Sequence, residues 1–344
     1  MKNWKLLFSK SSLLWLCVGL IAGWFLSNLR LSDSSFLRGN ILRLDKNNTY
    51  KFIDPILACD TGTEELFPEF KPIKNSLQNY INDEIRNGNV RDVSIYLRSM
   101  KTGRWFVING QEKYAPASLL KTFIMVAYYR EFEENKEVLD KEVIFHRNND
   151  SKKESSLETE SDLIGGKYYS IGSLIEQMII YSDNDAMNVL IDNFDDKTIE
   201  AINSIFSDLN ILKPSTQSEK DMDFMSVDSY AMIFRVLFGG TYLSRENSEK
   251  ALSLLSRSQY RDGITAIISK DIAVAHKFGV RTVAGQEGTY HELHDCGIIY
   301  YPNHPYLLCV MTRGDDLSKL QKSIQDISRI SHNKLNSFFL QLTK

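Results

Sequence analysis

The pattern of apolar and polar positions divides the 344-residue chain into stretches of different period. Residues 11–29 carry no charge and include Leu13, Leu14, Trp15, Leu16, Val18, Leu20, Ile21, Trp24, Phe25 and Leu26, a run long enough to span a bilayer. Residues 30–69 mix charged, turn-forming and apolar residues without a sustained period, although the piece from Tyr50 to Leu57 is apolar enough to pack on a folded unit. Over residues 70–87, Ile73, Leu77, Tyr80, Ile81 and Ile85 recur at helical spacing. Residues 93–100 and 105–108 flank Lys101, Thr102, Gly103 and Arg104, which predicts a β-hairpin with glycine in its turn. A helix should open near Ala117, because Pro116 is tolerated only at a helix entrance. Residues 123–129 are apolar on every side, as in a helix buried in the middle of a domain.

The charged stretch 131–160 predicts a solvated loop. Helical spacing returns over 169–194 with a break at 181–185, then over 197–209 and 226–238, and a short helix begins at Ser248. Residues 272–279, 296–300 and 306–312 read as strands, and residues 315–344 as a terminal helix carrying Leu320, Ile324, Ile327, Ile330, Leu335 and Phe338. Helix, two strands, helical block, three strands and helix together predict an α+β fold. Its antiparallel sheet has about five strands, flanked by terminal helices, with an all-helical subdomain inserted.

Composition narrows this picture. A hydrophobic content of 43% and a charged content of 25% suit a globular domain with a sizeable core. The net charge of 41 − 44 = −3, with no basic block, argues against a nucleic-acid partner. Lys2, Lys5 and Lys10 precede the uncharged run, so residues 1–10 are expected in the cytoplasm, 11–29 as a transmembrane signal anchor, 30–69 as a membrane-proximal connector and 70–344 as an extracytoplasmic domain. No small-x-small cleavage site precedes Leu29, and Cys17 follows residues too bulky for lipoprotein processing. Cys296 and Cys309 stand nearly equidistant from a turn at 301–305, so a cross-strand disulfide is conceivable, while two free buried thiols are the commoner outcome.

Candidate chemistry centres on Ser118 and Lys121. A spacing of three puts both on one helix face at a helix entrance, where the peptide dipole favours negative charge and apolar surroundings favour a neutral lysine able to accept a proton. That activates a serine without histidine. The same spacing at Ser331 and Lys334 shows that it carries little alone. Ser182, Asp183 and Asn184 sit at the break between helical stretches and can point into a cleft, and Lys277, Phe278 and Gly279 lie on a predicted strand where glycine permits close approach. His291, His294, Asp295 and Cys296 are ligand types for zinc, but two histidines three apart entering a strand do not face one site, so structural roles are preferred.

In this order, Ser118-x-x-Lys121, Ser182-Asp183-Asn184 and Lys277-x-Gly279 resemble the three motifs of the penicillin-recognising serine hydrolases, and the elements around them resemble class A β-lactamases. The resemblance covers residues 70–344. It implies Ser118 as acylated nucleophile, Lys121 as base, Ser182 as proton shuttle to the leaving nitrogen, Asn184 as a substrate-orienting group, Lys277 as a group that helps bind the substrate carboxylate, and the N–H groups of Ser118 and Val280 as the oxyanion hole. It implies no cofactor or metal, and as partner a β-lactam or cell-wall peptide substrate, while the run at 11–29 makes the membrane a second expected partner. Phe278 stands where the third motif usually has a hydroxyl, so Arg281 or Thr282 is the expected substitute contact to a substrate carboxylate. No Glu-x-x-Leu-Asn loop stands between Asn184 and Lys277; Glu219 is the candidate deacylation base, and Glu200 reads as a solvated helix face. A membrane-anchored acyl-enzyme hydrolase is therefore expected, with a D,D-peptidase and a non-catalytic envelope-binding module as alternatives.

Overall fold

A proline in the first turn and three apolar residues four apart set the first helix, α1 (Lys71–Arg86), which buries Ile73, Leu77 and Ile81 on one line. In this computed structural model the described residues are 42–43, 50–54, 56–58, 70–147, 157, 162–211, 222–285 and 288–342. The run at 11–29, Cys59 and Glu219 lie outside them. Among the described residues no helix is long and apolar enough to cross a membrane.

The strands in chain order are β1 (Leu42–Arg43), β2 (Ile56–Ala58), β3 (Asp92–Ser99), β4 (Trp105–Ile108), β5 (Glu142–Ile144), β6 (Tyr168–Ser170), β7 (Val274–Gly285), β8 (Gly288–Ile299) and β9 (Tyr306–Gly314). Five of them form one antiparallel sheet in the order β4-β3-β9-β8-β7. Strand alternation sorts its side chains into two cores. Val93, Ile95, Leu97, Leu308 and Val310 face the cluster that also holds residues of α1 and of the terminal helix α8 (Leu317–Leu342), while Tyr96, Leu307, Cys309 and Met311 join the cluster of the helical block. The expected five-stranded α+β plan is present.

The block between sheet halves contains α2 (Leu120–Glu134), α3 (Ile171–Ile180), α4 (Asn184–Asp192), α5 (Asp196–Asp208), α6 (Val227–Phe238) and α7 (Arg245–Leu255). All eight residues from Lys121 to Tyr128 are buried, so α2 is the central helix its apolar sequence predicts. Ser170, Asp183, Asp195 and Ser244 cap four of these helices by accepting backbone N–H bonds. The Ser244 cap starts α7 three residues before the expected Ser248.

Three expectations are corrected. The block is not all helical, because β5 and β6 pair inside it, burying Val143 and leaving Ile144 and Tyr168 exposed. The stretch at 280–295, not assigned to a strand from its sequence, completes a single long β7–β8 hairpin paired from Val274↔Ile299 to Gly285↔Gly288. Its buried polar residues, Glu292, His294 and Asp295, break the apolar alternation that reveals a strand. Finally, Cys296 and Cys309 are directly opposite one another on β8 and β9 and are joined in a disulfide, rather than standing as free thiols.

The segment at 50–54 packs on the domain. Phe52 and Ile53 are buried, and the backbone N–H groups of Lys51, Phe52 and Ile53 donate to the Glu249 carboxylate on α7 at 2.8, 2.8 and 2.9 Å. The Tyr300 hydroxyl donates to the Phe52 carbonyl at 2.9 Å. Hydrogen bonds to a charged group contribute about 1.5–3 kcal/mol each, so Glu249→Ala should destabilise the domain by at least about 2 kcal/mol. Urea denaturation checks this, with limited proteolysis showing new cleavage between residues 44 and 55; an unchanged midpoint excludes a structural role for the docked segment.

Candidate active site

A 3₁₀ turn at Ala117–Leu119 leads directly into α2 and presents Ser118. Ala117 has φ 47°, a left-handed conformation that costs a non-glycine residue about 1–2 kcal/mol. Its surroundings hold it there. The Ala115 N–H donates to Glu292 Oε2 at 3.2 Å, and the Ala115 carbonyl accepts from His294 Nε2 at 3.0 Å, so β8 grips both polar groups of the residue before Pro116. On β7, a Cβ on Gly279 would stand 2.9 Å from the Pro116 carbonyl and 3.2 Å from the Leu119 N. The close approach that requires this glycine is therefore made by the chain's own turn around Ser118, a role the expectation of ligand approach did not include.

Lys121, the second residue of α2, is fully buried. Its Nζ lies 3.0 Å from Ser118 Oγ, 3.2 Å from Ser182 Oγ and 2.6 Å from Asn184 Oδ1, and it also donates to the Ser182 carbonyl. Ser182 and Asn184 reach it because the helical block breaks between α3 and α4. Ser182 takes φ 59°, and Asp183 caps α4 through the Ala186 N–H at 2.8 Å. From the edge strand β7, Lys277 Nζ reaches Ser182 Oγ at 2.8 Å and the Phe278 carbonyl at 2.8 Å. One serine hydroxyl thus stands between two buried lysines. Ser118, Lys121, Ser182, Asn184 and Lys277 are brought together as their spacing and order implied.

The remaining predicted residues divide. Val280 is buried on β7 opposite Leu293, next to the glycine against which the nucleophile turn packs. Arg281 lies 3.6 Å from Asp223 as an ion pair, and Thr282 Oγ1 bonds His291 Nδ1 at 2.9 Å, so neither joins the lysines. Glu200 is exposed on α5. His291 and His294 engage different elements, Cys296 is in the disulfide, and among the described residues no group of three or more metal-ligand types stands together.

Two buried polar systems escaped the sequence. His276 Nδ1 bonds Asp295 Oδ1 at 2.9 Å beside Lys277, and Asp295 Oδ2 accepts the Ile264 N–H at 2.8 Å. Arg313 on β9 bonds Glu292 at 3.0 Å, Glu112 at 2.9 Å and Asp223 at 2.8 Å, with Tyr114 under its guanidinium at 4.9 Å. A positively charged residue at the end of an apolar strand is the one available signal for this hub.

The sequence pattern of the Beta-lactamase enzyme family matches residues 74–335, so the chain belongs to that family and is a serine hydrolase of the β-lactamase type. Its fold is shared with a β-lactamase from Sphaerobacter thermophilus at 21% identity and TM-score 0.60, over 76% of this chain and 96% of that one. A variant of PBP-A, solved as its acyl-enzyme complex with penicillin G, is similar at 20% identity and TM-score 0.61, over 77% and 97%. A class A β-lactamase from Mycobacterium abscessus is similar at 18% identity and TM-score 0.63, over 77% and 99%. No curated protein matches the chain by sequence.

The grip on Ala115 titrates. Burial, and then the Asp223 carboxylate, push Glu292 up from 4.5 to about 7 against the pull of Arg313. Burial pushes His294 down from 6.5 to about 4. Between pH 4.5 and 7 the folded protein holds a Glu292 proton that the unfolded chain has lost, so this group's contribution to stability falls as pH rises. Between pH 4 and 6.5 the unfolded chain holds a His294 proton that the folded protein lacks, so that contribution rises with pH. The two oppose each other. Relative to wild type, Glu292→Gln should gain stability with pH across the range where His294→Gln loses it, measured by urea denaturation at successive pH values. Parallel profiles for all three proteins would exclude both shifts.

Proposed function

We propose that this protein is a membrane-anchored, extracytoplasmic hydrolase that forms an acyl-enzyme at Ser118 with an amide or ester of the β-lactam or cell-wall type. The observation that carries the reading is the placement of Lys121 Nζ within hydrogen-bond distance of both Ser118 Oγ and Ser182 Oγ. Neutral Lys121 takes the Ser118 proton as Oγ attacks the carbonyl carbon, and the N–H groups of Ser118 and Val280 receive the oxyanion. Collapse breaks the bond to the leaving group. Its proton comes from Ser182 Oγ, which is resupplied by the Lys121 ammonium, while Lys277 keeps that hydroxyl aligned. Water then hydrolyses the ester and returns the proton to Ser118. The penicillin G acyl-enzyme of PBP-A supports the same first step here.

Full-length protein should gain one fluorophosphonate adduct at Ser118. Because a general base contributes about 10²- to 10⁴-fold, Lys121→Ala should slow labelling by at least that lower bound, and Ser118→Ala should abolish it. Acyl adducts should persist for minutes, since Lys121 is the one base placed beside Ser118 Oγ among the described residues. Equal labelling of all three proteins by intact mass spectrometry, or loss of each adduct within seconds, counts against the reading.

The location rests on Lys2, Lys5 and Lys10 preceding the uncharged run and on the Cys296–Cys309 disulfide, which suits an oxidising compartment. Protease added to spheroplasts should digest the domain. Protection until lysis would place it on the cytoplasmic side.

A further inference from the structure

Resting on the acyl-enzyme reading above, we propose that Phe278 is a specificity-determining residue that turns the site toward acyl donors with no carboxylate beside the scissile bond, neutral amides and esters, and away from anionic ones. The ring sits against one of the two lysines that reach Ser182 Oγ. Lys277 Nζ lies 4.4 Å from the Phe278 ring centroid and donates to Ser182 Oγ and to the Phe278 carbonyl, each at 2.8 Å. An aromatic face attracts an ammonium through its negative quadrupole and repels an anion for the same reason. Lys277 is fully withdrawn from solvent, and the Phe278 ring is one of the groups packed against its ammonium.

The ring is not easily displaced. It stacks on Tyr260 with centroids 4.1 Å apart and is 3% exposed within the core under the terminal helices. An anion placed beside the ring would lose water without gaining a donor from it. Nearby cations do not compensate. Arg281 is four residues further along β7, about 13 Å at 3.3 Å per residue, and is paired with Asp223. The Thr282 hydroxyl is bonded to His291. The hydroxyl expected to replace the missing contact is thus bonded to His291, and the guanidinium faces Asp223 at 3.6 Å without a hydrogen bond from Nη1, while Lys277 of the third motif holds Ser182.

The test uses two thioester acyl donors that differ only in whether the leaving group ends in a carboxylate or a primary amide. Their second-order rate constants are measured on full-length protein, with fluorophosphonate labelling of Ser118 as an independent check of the acyl-enzyme reading. A hydrogen bond to a charged group corresponds to about a tenfold or larger preference, so the neutral donor should react about tenfold faster or more with wild type. Phe278→Thr, which restores a hydroxyl and uncovers Lys277, should bring the ratio to about one or invert it by the same reasoning. Phe278→Leu, which keeps an apolar cover, should retain the neutral preference. A faster anionic donor in wild type overturns the proposal, as does an unchanged ratio in a Phe278→Thr protein that still labels. Fluorophosphonate labelling without reaction of either donor overturns it too, because the neutral donor is required to react. Failure of the fluorophosphonate itself would instead sink the acyl-enzyme reading. Where Phe278→Thr does not label, the wild-type ratio and the Leu variant decide.

Discussion

Two lysine side chains buried around one hydroxyl impose the main constraint on this molecule. Moving an isolated ammonium into a medium of protein-like dielectric costs on the order of 20 kcal/mol before relaxation, so Lys121 and Lys277 are tolerable only where oxygen acceptors converge on them. Those acceptors come from separate parts of the chain: Ser118 from the turn before α2, Ser182 and Asn184 from the break between α3 and α4, and the Phe278 carbonyl from β7. None of these segments solvates a lysine alone. The sheet and the helical block must therefore close on one another for either lysine to be accommodated, and closing them is what assembles the site.

The same closure sustains local strain. Ala117, beside Ser118, and Ser182 both hold left-handed backbone conformations without being glycine. Such conformations persist when the surroundings over-determine them. Here the surroundings are the two side chains of β8 on Ala115, the missing Cβ of Gly279, and the Asp183 cap. A turn so constrained delivers Ser118 Oγ to Lys121 with little freedom left to lose when a substrate arrives, which is how orientation lowers a barrier.

Much of this was legible in the residues because it depends on local spacing. The period of Ile73, Leu77 and Ile81, the all-apolar run of α2 and the three motifs each state their role within a few positions. What stayed hidden depends on distance in sequence. Arg313 meets Asp92 across 221 positions, Glu112 across 201 and Asp223 across 90, and Glu249 receives its three N–H groups across 196 to 198. No window along the chain contains such pairs. The long hairpin was hidden for a different reason: Glu292 and His294 hold Ala115, Asp295 holds His276 and the Ile264 N–H, and these buried polar residues erase the apolar alternation by which a strand is recognised. Phe278 was legible as a departure, but its consequence needed the position of Tyr260.

The covalent link between β8 and β9 has a meaning separate from stability. Because side chains alternate with a period of two, Glu292, His294 and Cys296 share one face of β8, and a slip of one residue would send all three to the other. Cys309 opposes Cys296 only in the native alignment. Oxidation therefore reads the alignment of the strand that grips Ala115, and a hairpin folded out of frame leaves two thiols on opposite sides of the sheet. The bond acts as a proofreading mark, written once, on the geometry that the serine later depends on.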